Sequence, residues 1–275
     1  MKQIRNLFEI TVQKSYVINV KDSIYRYNHV VNEFAKYDIT NFIVEDAVTR
    51  LDKEVKNKYE KGGVVFSPPC FRCGYEICNH ENNTITPSQV ANFLSFRNIM
   101  KKVTNKNNGL YAVFEDDFFF KENTKRSFTK ISKMIVKKQL KTTNLPVIIR
   151  IGSHSSPTRK EKFFNQYFGY SSVIENEYNM ANPCFIFNKQ FADLFMRKFN
   201  NIETTSDSFI HKVLCENNKV LNYSIKPFPI GQHSHGQKSN LFDSQIVEGN
   251  NADERITKVR SKIEYLDLLN EWFKN

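Results

Sequence analysis

Glycine, proline and tryptophan are scarce in this sequence of 275 residues, which contains nine, eight and one of them. So few glycines and prolines exclude a collagen-like chain and a low-complexity chain rich in these two residues. Hydrophobic residues make up 40% of the sequence and charged residues 25%, which excludes an intrinsically disordered protein. The length and this composition predict a single domain over residues 1–275 with a hydrophobic core of its own.

Long apolar runs are absent as well. No stretch approaches the roughly 18 apolar residues that cross a bilayer, and residues 1–14 lack the apolar centre of a signal peptide. Five cysteines in a chain of this size do not indicate a disulfide framework, so we expect a reducing compartment. With the enrichment in lysine and asparagine, these absences predict a soluble protein without a transmembrane segment. We expect it in the cytoplasm or packaged in a virus particle, and not secreted through a signal peptide.

Basic residues outnumber acidic residues by 40 to 29, which gives a net charge of +11. This excess favours anionic partners such as nucleic acids, nucleotides, phosphorylated sugars or acidic polymers, and it also fits a solvated lysine-rich surface. Between residues 121 and 141 the lysines accompany apolar residues at helical spacing, namely Phe128, Ile131, Ile135 and Leu140. This pattern favours an amphipathic helix with a solvated basic face over a nucleic-acid site.

Short apolar runs alternate with helical patterns along the chain, which is typical of an α/β protein with a mostly parallel central sheet flanked by helices. The predicted strands lie at residues 14–20, 41–44, 110–114, 145–151, 183–188 and 220–225. Thr86, Pro87 and Gln89 predict the start of a helix, because they form a capping box with proline in the first turn. Residues 52–83 predict a loop-rich insertion, and residues 253–275 predict a C-terminal helix.

Three acidic residues, Glu115, Asp116 and Asp117, follow the apolar run of one predicted strand. Side chains alternate in an extended segment, so we expect Glu115 and Asp117 on one side and Asp116 on the other. Two carboxylates on one side suit Mg²⁺ or Mn²⁺, with a diphosphate and water completing the coordination. An acidic turn paired with nearby lysines is the alternative.

Two histidines near the end of the chain are further candidate metal ligands. His233 and His235 lie in the sequence GQHSHG, and imidazole nitrogen is a ligand of Mn²⁺-type centres. An exposed loop that carries both histidines without a metal is the alternative.

A cysteine-rich segment has the composition of a structural zinc site. Its candidate ligands are Cys70, Cys73, Cys78 and His80, and a Zn²⁺ bound there would staple the loop-rich insertion. Their spacing is irregular for a zinc finger or ribbon, so free cysteines in a polar loop are the alternative.

Several segments occur in the order that characterises one enzyme family. They are YVIN followed by DSIYR, a helix containing Ser95, a strand ending in EDD, PCFIFNKQFADLF and SDSF. In this order the sequence resembles glycosyltransferase family 25, which includes bacterial lipopolysaccharide-type transferases and procollagen galactosyltransferases, over residues 16–241. It departs from the family pattern at Gln89 and Phe96, where the family has Glu and His, and at CFIF in place of GYIS.

The resemblance implies a GT-A fold whose sheet binds a nucleotide-sugar donor over the carboxyl ends of its strands. It implies transfer of a sugar, with inversion at the anomeric carbon and with Mn²⁺ or Mg²⁺ as the cofactor. We expect a UDP-sugar as the donor. The acceptor would be a hydroxyl of a glycan, of a lipid-linked sugar or of a protein.

The resemblance also assigns roles to particular residues. Donor binding falls to Asn19, Arg26, Glu115, Asp116 and Gln232. His233 follows Gln232 in the tail motif, which favours it over His235 as a metal ligand. Asp207 matches an acidic position of the family and is the candidate general base. As the alternative, Ser206 and Asp207 form an ordinary helix start whose carboxylate satisfies free N–H groups.

Two other classes of function stay open. A basic nucleic-acid-binding protein without catalysis would explain the charge, but no stacking motif accompanies it, so we expect no stable nucleic-acid partner. A metal-dependent phosphohydrolase would use the EDD segment but needs further carboxylates, which the sequence does not clearly supply.

Overall fold

The structure, a computed structural model, describes residues 8–9, 11–64, 85–152, 172–177 and 183–233. The helices named below are α1 (Ile24–Ala35), α2 (Lys53–Glu60), α3 (Pro87–Thr104), α4 (Thr124–Lys137), α5 (Lys189–Lys198), α6 (Ser206–Ser208) and a π-helix (Phe209–Glu216). The strands are β1 (Lys14–Asn19), β2 (Phe42–Asp46), β3 (Leu110–Glu115), β4 (Phe118–Phe120), β5 (Val147–Arg150), β6 (Ser172–Glu175), β7 (Cys184–Asn188), β8 (Leu221–Lys226) and β9 (Ile230–Gln232).

Seven of these strands form a central sheet in the spatial order β2-β1-β3-β7-β5-β8-β6. β1 pairs in parallel with β2 and β3, β5 pairs in parallel with β8, and the antiparallel β7 joins the two sets. β6 adds an antiparallel edge strand to β8. The predicted α/β fold with a mostly parallel sheet is therefore confirmed. The parallel strands all end at one edge of the sheet, which we call the carboxyl edge.

Helices cover both faces of the sheet. On the first face, α3, α5 and the π-helix pack against side chains such as Tyr16 and Val113. On the second face, α1 and α4 pack against Val17 and Phe114, the next residues along the same strands. Successive residues of a strand point to opposite faces, so each central strand contributes to two separate cores.

α3 begins where the capping box predicts. The hydroxyl oxygen of Thr86 accepts a hydrogen bond from the backbone N–H of Gln89 (3.3 Å), and Oε1 of Gln89 accepts one from the N–H of Thr86 (3.0 Å). Pro87 occupies the first turn, where a missing N–H costs nothing. Phe93 and Leu94 are fully buried, so the helix is anchored in the core of the first face.

α4 confirms the prediction of an amphipathic basic helix. Phe128, Ile131 and Ile135 are buried in the core of the second face, together with Leu140 just beyond the helix. The four lysines of α4 itself are exposed on its outer side. None of the helices in the described part of the chain combines the length and the apolar character needed to cross a membrane.

Three predicted segments differ from the structure or lie outside it. The stretch 52–83, predicted to be rich in loops, begins with helix α2, because Val55 is fully buried against the core of the first face. The candidate zinc ligands between residues 70 and 80 lie outside the described residues. So do His235 and the predicted helix at 253–275.

Candidate active site

The acidic segment lies at the carboxyl edge of the sheet. β3 ends at Glu115, and Asp116 and Asp117 form the turn into β4. The neighbouring β1 ends at Asn19, and β9, which pairs with β4, ends at Gln232. The structure therefore brings together these five residues, all of which the sequence analysis singled out.

Asp116 points toward the second face of the sheet, where α1 supplies Arg26. Nη1 of Arg26 lies 2.6 Å from Oδ1 of Asp116, and both side chains are almost completely buried. Burial raises the pKa of Asp116 to about 6, against the opposing effect of the Arg26 charge. This ion pair holds the turn in place, and contact of either residue with the donor stays a prediction.

Glu115 points toward the first face, on the opposite side of the strand from the residue that follows it, as the alternation predicts. Nδ2 of Asn92 on α3 donates to Oε1 of Glu115 (3.3 Å), and Nε2 of Gln232 donates to Oε2 (2.9 Å). The pKa of Glu115 is well above its ordinary value, because the carboxyl group is buried and because the charges of Asp117 and Asp207 are close. Two amides and two acids thus surround this carboxyl group, and three of these four residues come from distant parts of the chain.

Asp207 lies in α6, which hydrogen bonds connect to the same carboxyl group. Oγ of Ser206 donates to Oδ1 of Asn92 (2.7 Å), and the amide of Asn92 holds Glu115. The cap of α6 is Thr205, whose hydroxyl oxygen accepts a backbone N–H, so the capping oxygen does not come from Asp207. Because its charge raises the pKa of Glu115, Asp207 belongs to the acidic group at the carboxyl edge.

The ring of His233 lies beside the acidic turn. Its backbone N–H donates to the carbonyl oxygen of Asp117 (2.9 Å), and its ring centre lies 5.2 Å from that of His29 on α1. Burial and the charge of His29 lower the pKa of His233, whereas the charge of Asp117 raises it. The structure therefore brings His233 to the acidic segment, and its role as a metal ligand stays a prediction.

Asn92 and His29 are site residues that the sequence analysis did not identify. In the first half of α3, Asn92 is a polar residue between buried Ala91 and Phe93. This pattern is a signal that could have identified Asn92. His29 follows Arg26 by three residues on a helix, so the two lie on neighbouring positions of one side of α1. Nε2 of His29 lies 2.7 Å from the carbonyl oxygen of Phe118, directly after the acidic turn.

Among the described residues, three buried side-chain oxygens at this edge have no hydrogen-bond partner: Oδ1 of Asn19, Oδ1 of Asp117 and Oε1 of Gln232. Mg²⁺ and Mn²⁺ prefer oxygen ligands, so the carboxylate oxygen of Asp117 fits such an ion. Within the described ranges, no group of three or more His, Cys, Asp or Glu residues is arranged to hold a metal by itself.

A comparison with protein families identifies the kind of protein that carries this site. The model of glycosyltransferase family 25, described as LPS biosynthesis protein, matches residues 12–210, well over half of the chain. The chain belongs to glycosyltransferase family 25. It is therefore a glycosyltransferase, as the order of its motifs predicts. The match favours this activity over a nucleic-acid-binding protein or a phosphohydrolase.

Other comparisons give little beyond the family. No curated protein matches the sequence. Among solved structures, the chain is similar to a protein from Bacillus anthracis described as a glucose-1-phosphate thymidylyltransferase in complex with a sucrose, with 10% sequence identity and a TM-score of 0.32. That similarity covers 77% of this chain and 86% of the other chain.

Two departures from the pattern of glycosyltransferase family 25 have structural roles in this member. Gln89 completes the capping box of α3. Phe96 is almost fully buried and stacks on Phe185 with ring centres 6.0 Å apart, so the position of the family's histidine belongs to the core here. The retained Ser95 accepts a hydrogen bond from the N–H of Val48 (2.9 Å) and thereby fixes the loop after β2.

Proposed function

We propose that this glycosyltransferase moves a sugar from a UDP-sugar to a hydroxyl acceptor, with Mn²⁺ or Mg²⁺ at the acidic segment and with inversion at the anomeric carbon. A glycan, a lipid-linked sugar or a protein would supply the hydroxyl. The observation that carries the proposal is the acidic group at the carboxyl edge, in which Asp117 keeps a buried oxygen that has no hydrogen-bond partner among the residues the structure describes.

The acidic group and a diphosphate would repel each other without a cation. Glu115 already has a raised pKa because of nearby Asp117 and Asp207, so a further anion would increase the electrostatic cost. A bound divalent ion supplies positive charge that offsets both the carboxylates and the departing diphosphate. In this proposal Glu115 and Asp117 face the ion, and His233 lies within reach of Asp117.

Two amide side chains are oriented to accept hydrogen bonds from the nucleotide-sugar donor. Nδ2 of Asn19 donates to the carbonyl oxygen of Val20 (2.9 Å), and Nε2 of Gln232 donates to Glu115. The amide oxygens have no hydrogen-bond partner among the described residues, so they are the groups that remain to bind hydroxyls of the nucleotide-sugar donor or water. Arg26 supports this arrangement by holding Asp116 in the turn.

Asp207 is the candidate base for the acceptor. The acceptor oxygen forms a bond to the anomeric carbon while the bond from that carbon to the diphosphate oxygen breaks, and UDP leaves. The proton of the acceptor hydroxyl passes to the carboxylate of Asp207. Attack on the side opposite to the diphosphate inverts the anomeric centre. The hydrogen bond from Ser206 to Asn92 keeps α6 next to Glu115 during this step.

A thermal-shift panel tests the proposal. UDP, GDP and CMP are each added to the protein with and without Mn²⁺, because a ligand that binds the folded state raises the unfolding temperature. We expect stabilisation by UDP only when Mn²⁺ is present. Equal stabilisation by UDP in a chelator would contradict the role given to the acidic segment.

A further inference from the structure

The outer side of α4 carries a row of cations. Lys125, Arg126, Lys133 and Lys137 are exposed, and we call these four residues the basic stripe. From Arg126 to Lys137 the stripe spans eleven helical steps, or about 17 Å. The sequence contains no Asp or Glu between residues 123 and 160, so the helix itself offers no compensating charge.

The described carboxylates do not neutralise the basic stripe. Lys138, just after the helix, pairs with Glu175 at 2.8 Å between Nζ and Oε1, and the four cations of the stripe stay exposed to solvent. Beneath the stripe, Phe128 and Ile131 anchor the helix in the core of the second face. The cations therefore project from a helix that is anchored in the core.

Apolar side chains are exposed on the same face of the sheet. On α1, Ile24 is 70% exposed and Tyr27 is 46% exposed, and on α4 Val136 is 76% exposed. α1 and α4 belong to one layer, because Phe34 of α1 and Phe128 of α4 contribute to the same core. The second face thus combines fixed cations with solvent-exposed apolar groups.

We propose that the second face docks this enzyme on an anionic membrane surface, through the basic stripe and through Ile24 and Tyr27. Anionic lipid headgroups attract lysine and arginine within about a Debye length, roughly 10 Å at moderate salt. Tyrosine and aliphatic side chains gain free energy by entering the headgroup region, where a polar tip can stay hydrated. This inference is independent of the donor, the metal and the base proposed above.

A membrane fits the face better than a nucleic acid does. Single-stranded nucleic acids are bound through several aromatic rings on which successive bases stack, whereas Tyr27 carries the one ring among the residues of the proposed docking surface. The exposed aliphatic groups at Ile24 and Val136 gain nothing from a phosphate backbone, whereas a lipid headgroup region can bury them. We therefore expect affinity for lipid vesicles to exceed affinity for duplex DNA at equal salt.

Vesicle sedimentation tests the proposal with two matched variants. The first replaces the basic stripe, as Lys125→Gln, Arg126→Gln, Lys133→Gln and Lys137→Gln. The control replaces four exposed lysines from the helices of the first face and the residues just after them: Lys53, Lys61, Lys101 and Lys106, each to Gln. Both variants lose the same charge, so a difference between them reports position. Circular dichroism and thermal unfolding confirm that both are folded.

We expect the wild type and the control variant to bind vesicles of phosphatidylcholine mixed with phosphatidylglycerol, and to bind pure phosphatidylcholine weakly. The basic-stripe variant should bind the anionic vesicles at least about tenfold more weakly. High salt screens the electrostatic attraction to the anionic vesicles. The double variant Ile24→Ser with Tyr27→Ser should lower the vesicle binding that remains at high salt.

Three results would overturn the proposal. One is an equal loss of vesicle binding in the two quadruple variants, which would assign the effect to net charge alone. Another is the absence of wild-type binding to anionic vesicles. The third is tighter binding to a random-sequence DNA duplex than to the vesicles, with loss of that binding in the basic-stripe variant.

Discussion

Asp117 is the acidic residue whose environment gives the strongest support to the proposed cation. In the described part of the chain its Oδ1 is buried without a hydrogen-bond partner, and its charge raises the pKa values of both Glu115 and Asp116. A neutral side chain at this position removes the repulsion within the acidic group. It also removes a ligand for the proposed ion, which would offset charge on the leaving diphosphate.

Asp117→Asn should therefore keep the fold and lose sugar transfer. If the ion contributes several kcal/mol to the transition state, the rate should fall by at least ~100-fold. Transfer rate and unfolding temperature are measured together, with Asp193→Asn on α5 as a control that removes one acid far from the carboxyl edge. Unchanged turnover in Asp117→Asn would contradict the metal assignment.

Asp116 makes stability depend on pH in a defined direction. Its pKa rises from 3.8 in the unfolded chain to about 6 in the folded protein, so the folded state binds more protons between these two values. The free energy of unfolding contributed by this group is therefore largest below pH 3.8 and is lost as the pH rises through about 6.

The variant Asp116→Asn should lack this dependence. Relative to the wild type, it should gain about 3 kcal/mol of stability on going from below pH 3.8 to above pH 6, since one pKa unit corresponds to ~1.4 kcal/mol. Denaturant unfolding of both proteins at the two pH values measures this change. A difference that stays constant across the range would show that Asp116 titrates normally.

At the scale of elements, α6 carries the candidate base, Asp207, and the π-helix follows α6 directly. Thr205 caps α6, Ser206 ties it to Asn92, and Arg150 on β5 holds the π-helix through His211. Nη2 of Arg150 lies 2.8 Å from Nδ1 of His211, and Arg can only donate, so this nitrogen accepts. Asp207 is therefore held in place from two sides.

Asp207→Asn should reduce the rate of transfer and leave donor binding intact. The amide keeps the size of the side chain but cannot take a proton, so we expect a loss of about 10²- to 10⁴-fold in kcat. The stabilisation of the variant by UDP with Mn²⁺ should match that of the wild type. A normal kcat would remove Asp207 from the mechanism and leave the donor site as proposed.

The hydrogen bond between Arg150 and His211 gives a prediction about the stability of the protein. His211 is buried, and burial together with the charge of Arg150 lowers its pKa to about 3, so its ring is neutral and can accept. His211→Phe should destabilise the protein by about 1–3 kcal/mol, because Arg150 loses an acceptor in the core. His211→Asn, which retains an acceptor, should cost less. Equal losses in urea unfolding would contradict this account.

The sequence predicts elements whose signals are local, and it misses those that depend on tertiary contacts. The capping box of Thr86 and Gln89 marks the start of α3, and the apolar spacing of α4 marks its buried side. The helix at 53–60 was not predicted, because Val55 is the one buried residue in a polar segment. The π-helix has no sequence signal separate from that of an α-helix.

At the scale of the whole molecule, the order of the strands assembles the site from residues far apart in sequence. Gln232 contacts Glu115 across 117 positions, because β9 pairs with β4. The sequence could place acids at the end of a strand, but it could not show that Asn92 and Asp207 meet them there. Such contacts follow from how helices pack on the sheet, and not from any local pattern.

Release of UDP from UDP-sugars by the purified wild type, before and after metal removal, tests the central claim most directly. We predict slow release in Mn²⁺ without acceptor, a loss of at least ~100-fold in EDTA, and full recovery when Mn²⁺ is restored. UDP release that continues unchanged in EDTA, or a folded protein that consumes no UDP-sugar in Mn²⁺, would contradict the account.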